Sequence, residues 1–254
     1  MSSIATTPPA SQAAPASQRI LAQTRAELLM TLRRGESVLV TMVIPVGVLF
    51  FAMALPIVDH ATAVQYFPPG VLAAAIISTA MVSLGIATAY ERYYGVLKRL
   101  GSTPLTRGGL ILAKILSVLA VEAIQVVLLL GIAAIFYGWR PQGSLLAALA
   151  ILLIGTATFA GLGLLMAGAL RADATLAAAN GLFLLFLLVG DVILPLTHLP
   201  ALLQPLARVL PAAALTDALR GALSPLGAPL GSVLLLIGWG IVILAAAALT
   251  FKWE

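Results

Sequence analysis

Tyr90-Glu-Arg-Tyr-Tyr-Gly-Val-Leu-Lys-Arg-Leu-Gly-Ser-Thr-Pro-Leu-Thr-Arg-Gly-Gly-Leu-Ile-Leu-Ala-Lys114 is a basic island between two long apolar runs. Arg92, Lys98, Arg99, Arg107 and Lys114 fall inside it, five of the chain's 14 Lys and Arg. Such a stretch cannot lie in hydrocarbon, so it stands in water at one membrane face, and the positive-inside rule makes that face cytoplasmic. It reads as a short helix from Glu91 to Leu100, stopped by Gly101, Ser102, Thr103 and Pro104. Leu97 and Leu100, three apart, give that helix an apolar side beside a charged one. The island is either a solvated loop or a docking helix that pushes on a cytoplasmic partner.

Outward from the island the chain is too apolar for a water-soluble domain. Hydrophobic residues make up 61% and charged residues 9%, with mean hydropathy +1.11, where a soluble chain carries about 25% charged. Apolar runs beyond the ~18 residues of a membrane helix recur, so the fold class is an all-α polytopic membrane protein. With no cysteine there is no disulfide and no thiolate metal site. The formal net charge of +5 is explained by topology rather than by nucleic acid, because the charges gather in a few loops.

Residues 1–18 are a Ser/Ala/Pro/Gln/Thr tail that reads as disordered and cytoplasmic. Residues 19–254 form one transmembrane domain. Arg19 to Arg34 reads as an amphipathic helix in the headgroup plane, with Arg25, Leu28, Arg33 and Arg34 among its alternating basic and apolar positions. Six spans follow at about 37–58, 68–89, 115–137, 145–170, 174–194 and 232–251, with Pro45 and Pro56 expected to kink the first. In the fourth, Ala157/Gly161 and Gly163/Ala167 have the small-x-x-x-small spacing that lets helices approach closely. Pro195 to Gly231 carries too many prolines to span, and reads as short helices on, or dipping into, the outer face. One of these would run between Pro211 and Pro225, with Asp217 and Arg220 paired three residues apart.

With the N-terminus inside, Arg19, Arg25, Arg33, Arg34, the five island residues, Arg171 and Lys252 fall on the cytoplasmic side. Only Arg140, Arg208 and Arg220 fall outside, so both termini are cytoplasmic.

The chemistry expected of a nucleotide-using enzyme is missing. There is no Gly-x-x-x-x-Gly-Lys-Ser/Thr stretch and no Gly-Lys pair, hence no P-loop site on this chain. Two isolated histidines, His60 and His198, cannot make a His-x-x-x-His metal site, and no Gly-x-Ser-x-Gly elbow occurs. No catalytic and no metal-binding residue is assigned. Glu122 is the one deep ionisable residue within the spans, roughly 12 Å beyond Lys114 at 1.5 Å per residue, and Gln125 shares its face. The pair is either part of a polar pathway or an interhelical clamp. Asn180 reads as a clamp.

These residues resemble the ABC-2 type permeases of ATP-binding-cassette exporters over nearly the whole chain after the tail. The resemblance rests on the amphipathic helix ending in Leu32-Arg33-Arg34 before a Pro45-containing span. It rests also on Glu91-Arg92-x-x-Gly95-x-Leu97-x-x-Leu100-x-x-Thr103-Pro104-Leu105, and on Leu199-Pro200, Leu210-Pro211 and Asp217-Ala218-Leu219-Arg220 before the last span. The second stretch resembles the family's coupling helix, which implies ATPase-coupling roles for Glu91, Arg92, Gly95, Leu97, Leu100, Thr103 and Pro104. The third resembles the extracellular helical hairpin, with Pro211, Asp217 and Arg220. The resemblance implies a bacterial inner-membrane permease that pairs with a second, identical or homologous one. Each would be seated on a separate cytoplasmic ATPase that binds ATP and Mg, so that this chain holds no cofactor itself. It further implies export of a hydrophobic or amphipathic substrate, closest to the drug- or antibiotic-efflux branch. An ion-coupled carrier or channel, or a non-transporting scaffold subunit, is the alternative.

Overall fold

A computed structural model describes residues 14–33, 35, 39–55 and 59–250. The tail up to residue 13, Arg34, the ends of the first expected span with Pro56, and Lys252 lie outside the described residues. Every regular element described is helical. Ala16–Arg33 is α1. A π-helical turn, Leu39–Val43, leads into α2, Ile44–Ala54, with Pro45 in its first turn where a missing N–H costs little.

The helix around which the others pack is α3, His60–Tyr93. Its most apolar stretch is 83% buried, against 22% for each of the last two long helices, because α2, α5, α6, α7 and α9 all lie against it. The expected start at Pro68 is corrected to His60. Asp59 caps the helix, its carboxylate accepting from the amide of Thr62 at 3.0 Å and from its hydroxyl at 2.6 Å. Pro68 and Pro69 sit inside the helix, both buried, where neighbouring helices support a backbone that lacks two donors. Midway, Ser78–Ser83 widens into a π-helical segment.

The expected single helix over Glu91–Leu100 is also corrected. Glu91 and Arg92 complete α3, and Gly95, with φ +71°, turns the chain into a separate six-residue α4, Val96–Gly101. Glycine takes this left-handed conformation without the strain a Cβ would bring. Thr106 caps α5, Arg107–Tyr137, which begins eight residues before the expected start at Ile115. Helix α6 is Leu145–Ala169 and α7 is Ala172–Val189; α7 stops before Asp191, whose φ of 59° breaks it short of the expected Leu194. After a 3₁₀ turn at Leu196–His198 come α8, Gln204–Val209, and α9, Pro211–Leu223, then α10, Leu230–Thr250.

Among the described residues, five helices are long and apolar enough to cross a membrane: α3, α5, α6, α7 and α10. The first expected span is represented by the apolar stretch Thr41–Ala54, too short within the described residues to be counted with them.

Small residues place the seams. A Cβ on Gly163 would come within 2.6 Å of the Met81 carbonyl, and one on Gly85 within 3.0 Å of Gly163, so α3 and α6 cross backbone on backbone. Gly161 faces Ile243 and Leu244 of α10 instead. The proline-rich segment dips inward rather than lying flat. Leu215 of α9 abuts Gly155, ten residues into α6, and the indole N–H of Trp239, deep in α10, donates to the Val209 carbonyl at 2.8 Å. At ~1.5 Å per residue both contacts lie roughly 14 Å inside the bundle end.

Candidate functional site

The island end of the bundle is tied together by side chains from five helices. Lys114, seven residues into α5, is 2% exposed. Its ammonium lies 3.0 Å from Glu27 Oε1 of α1 and 2.7 Å from Glu91 Oε2 at the end of α3. A buried ammonium between two carboxylates is held by both, and each carboxylate needs it. Gln23 adds a donor to Glu27 at 2.8 Å. Arg19, at the start of α1, donates to the Pro104 carbonyl, and Ile20 packs by Gly109. Helix α1 is thereby fastened along the first turns of α5.

On the other side of the elbow, Arg92 reaches the C-terminal end of α6. One terminal nitrogen donates to the Gly168 carbonyl at 2.5 Å and the other to that of Leu170. Those carbonyls are among the unpaired acceptors at a helix end, where a cation also meets the negative end of the helix dipole. The Tyr90 hydroxyl donates to Asp173 Oδ1 of α7 at 3.1 Å. A cleft of about 660 Å³ opens here, lined by Tyr90, Arg92, Tyr93, Tyr94, Arg171 and Asp173. Tyr93 and Tyr94 are 72% and 67% exposed, with their rings edge to face at 5.1 Å.

Of the expected coupling residues, Glu91 and Arg92 are wired inward and Gly95 makes the turn. Leu97 is 1% exposed and anchors α4 to the bundle, while Leu100 is half-buried. Thr103 closes the turn by donating to the Leu100 carbonyl at 2.6 Å, and Pro104 accepts Arg19. The apolar surface that α4 and its approach leave open is Tyr93, Tyr94 and Val96. On α1, Arg25 and Arg33 are exposed and Leu28 half-buried.

Glu122 and Gln125 part company. The Thr156 hydroxyl of α6 lies 2.5 Å from Glu122 Oε2. Gln125 bridges the two π-helical turns, accepting from the Thr79 hydroxyl at 3.0 Å and donating to the Thr41 carbonyl. Asn180 donates to the Leu176 carbonyl of its own helix, on an exposed face of α7, and has no hydrogen bond to a second helix among the described residues.

The expected Asp217–Arg220 pair does not form, because the packing of α9 turns the two side chains to different neighbours. Arg220 pairs with Asp191 at 2.5 Å, and Asp217 accepts from Ser232 at 2.5 Å.

Glu27, Lys114, Asp191 and Tyr66 were not singled out from sequence as site residues. The signal for Lys114 was a lysine inside Leu-Ile-Leu-Ala-Lys-Ile-Leu, and for Glu27 the one acid of α1. Each must find a partner when buried. Which partner each finds is a long-range fact that no local pattern carries.

A family model described as ABC-2 type transporter matches residues 18–224 of the chain. That match runs from the start of α1 through the end of α9. No curated protein matches the chain.

Proposed function

The chain belongs to the ABC-2 type transporter family, as the membrane permease of an ABC-type transporter, and we propose that it exports a hydrophobic or amphipathic substrate on energy supplied by a separate ATPase. The observation that carries this reading is the elbow at Gly95. Its outer side is the exposed Tyr93, Tyr94 and Val96, and its inner side is Glu91 and Arg92, wired to α1, α5 and α6. A partner that presses on the tyrosines thus moves the ends of α3 and α5 and the α6–α7 turn together. The partner is a cytoplasmic ATPase that binds ATP and Mg, and this chain supplies no nucleotide site. A second permease completes the pathway, the exposed side of α1 rests on the inner leaflet of a bacterial plasma membrane, and both termini are cytoplasmic. The substrate is drug-, antibiotic- or lipid-like.

The test is to purify the chain with an ABC-type ATPase and measure ATP hydrolysis and substrate movement in vesicles. Substrate should stimulate hydrolysis. Tyr93→Asp with Tyr94→Asp should abolish co-purification of the ATPase while the permease keeps its melting temperature. Transport that proceeds undiminished without an ATPase would sink the reading in favour of an ion-coupled carrier.

A further inference from the structure

The bundle end opposite the elbow holds an open cavity of about 590 Å³, within the roughly 300–1,000 Å³ of small-molecule sites. Its walls include Tyr66 and Pro69 of α3, Trp139 after α5, Asp217 and Arg220 of α9, and Pro229 before α10. The wall is fixed. A Cβ on Gly221 would come within 2.5 Å of Pro229 Cδ and 2.6 Å of the Gly227 carbonyl, so the loop before α10 is seated directly on α9.

The charges in this wall do not balance. Arg220 is paired with Asp191: one terminal nitrogen donates to Oδ2 at 2.5 Å and the other to the Asp191 carbonyl at 2.9 Å, while its buried Nε has no hydrogen-bond partner among the described residues. Its guanidinium carbon lies 3.7 Å over the Tyr66 ring, and the Tyr66 hydroxyl donates to Asp191 Oδ1 at 2.7 Å. Tyr66, Asp191 and Arg220 therefore form a neutral group. Asp217 stands apart. It accepts a hydrogen bond from Ser232 at 2.5 Å and has no ion-pair partner among the described residues. A hydroxyl orients a carboxylate without cancelling its charge. The cavity thus combines aromatic and proline walls with one uncompensated negative charge, half-buried.

We propose that this cavity binds an amphipathic organic cation, its apolar body against Tyr66, Leu226 and Pro229 and its positive group at Asp217. Apolar walls and a carboxylate together favour a cation with a greasy body over a neutral molecule. An anion is disfavoured, because it would face Asp217 while the Arg220 charge is already neutralised by Asp191. The inference does not depend on the transport reading, since binding is measured with no ATPase present.

The experiment uses the full chain in phosphatidylcholine nanodiscs, with empty nanodiscs as the blank. The probes are radiolabelled tetraphenylphosphonium and the anion of the same shape, tetraphenylborate. The wild-type chain should bind the phosphonium saturably and show no saturable site for the borate. Asp217→Asn keeps an oxygen for Ser232, so it tests charge with the wall intact. It should weaken phosphonium binding about tenfold or more, the size of one partly desolvated charge contact. Asp217→Glu should bind nearly as the wild type does. Ala61→Trp fills the cavity from the exposed first turn of α3 and should abolish saturable binding without touching Asp217. Absence of saturable phosphonium binding, equal affinity in Asp217→Asn, or a preference for the borate would each overturn the proposal.

Discussion

The Lys114 ammonium and Glu91 Oε2 lie 2.7 Å apart, although the chain between them leaves α3, turns at Gly95, forms α4 and enters α5. The pair closes the base of the elbow, and Glu27 on the far side of the same ammonium locks α1 to it. Lys114→Met should therefore cost about 3 kcal/mol, since two largely buried carboxylates lose their one shared cation. The melting temperature of the purified chain should fall markedly. Lys114→Met combined with Glu27→Gln and Glu91→Gln should regain much of the loss. A triple variant no more stable than Lys114→Met would show that the ion pairs are not the cause.

Gly95→Ala isolates backbone conformation from packing, because nothing lies within 4 Å of the added Cβ while φ is +71°. The cost should be about 1–2 kcal/mol, from holding an L-residue in the left-handed region. Gly95→Asn should cost less. Because the strain falls on the elbow, hydrogen exchange should quicken at Val96–Gly101 and stay unchanged in α6.

Asp59 sets a pH dependence at the head of α3. The hydroxyl and amide of Thr62 stabilise its ionised form and hold its carboxyl below the ordinary 3.8. With the folded value the lower one, its contribution is fully present above the ordinary value and is lost as pH falls through the folded one. Amide exchange of Thr62 should be protected at pH 5 and should lose protection in acid. In Asp59→Ala it should be fast at both, and a protected Thr62 amide in that variant would refute the cap.

Gln125→Leu should cut the link between the two π-helical turns. Interhelical hydrogen bonds inside membranes average about 0.6 kcal/mol, so the loss should be about 1–2 kcal/mol for two. Glu122→Gln, which keeps a group for Thr156 to bond, should leave the melting temperature nearly unchanged. If it also leaves substrate turnover unchanged, Glu122 is a clamp and no part of the pathway.

Apolar run length was enough to locate α6, α7 and α10 within a few residues at most boundaries, because those helices are bounded by turns whose residues say so. The head of α3 was not legible. Pro68 and Pro69 look like a start, since proline favours the first turn, but the capping side chain of Asp59 and the surrounding helices carried the helix through them. The elbow was legible as an island yet misread as one helix, because a glycine among helix formers shows its φ only in the fold. The ion pairs were the least legible part. Asp217 and Arg220 have the spacing of partners, and both found others, Ser232 and Asp191, once α9 was packed on three sides.

Tyr66, in the wall of the cavity at the bundle end opposite the elbow, and Glu91, at the base of the elbow, belong to one 34-residue helix. At about 1.5 Å per residue that helix is roughly 51 Å long, well beyond the ~30 Å of hydrocarbon. It is a single lever with an end in each aqueous compartment. A tilt of about 5° about one end would displace the other by about 4 Å over that length. No relay of side chains is needed to carry such a movement, and the lever can give at its π-helical middle, Ser78–Ser83, which Gln125 braces, and at Pro68 and Pro69, which neighbouring helices pack around. Spin labels at Gln65 and Tyr93 should then keep a single separation through an ATP-driven cycle in the native chain. In Gln125→Leu that separation should broaden, and a broad distribution already present in the native chain would mean that the two ends move independently.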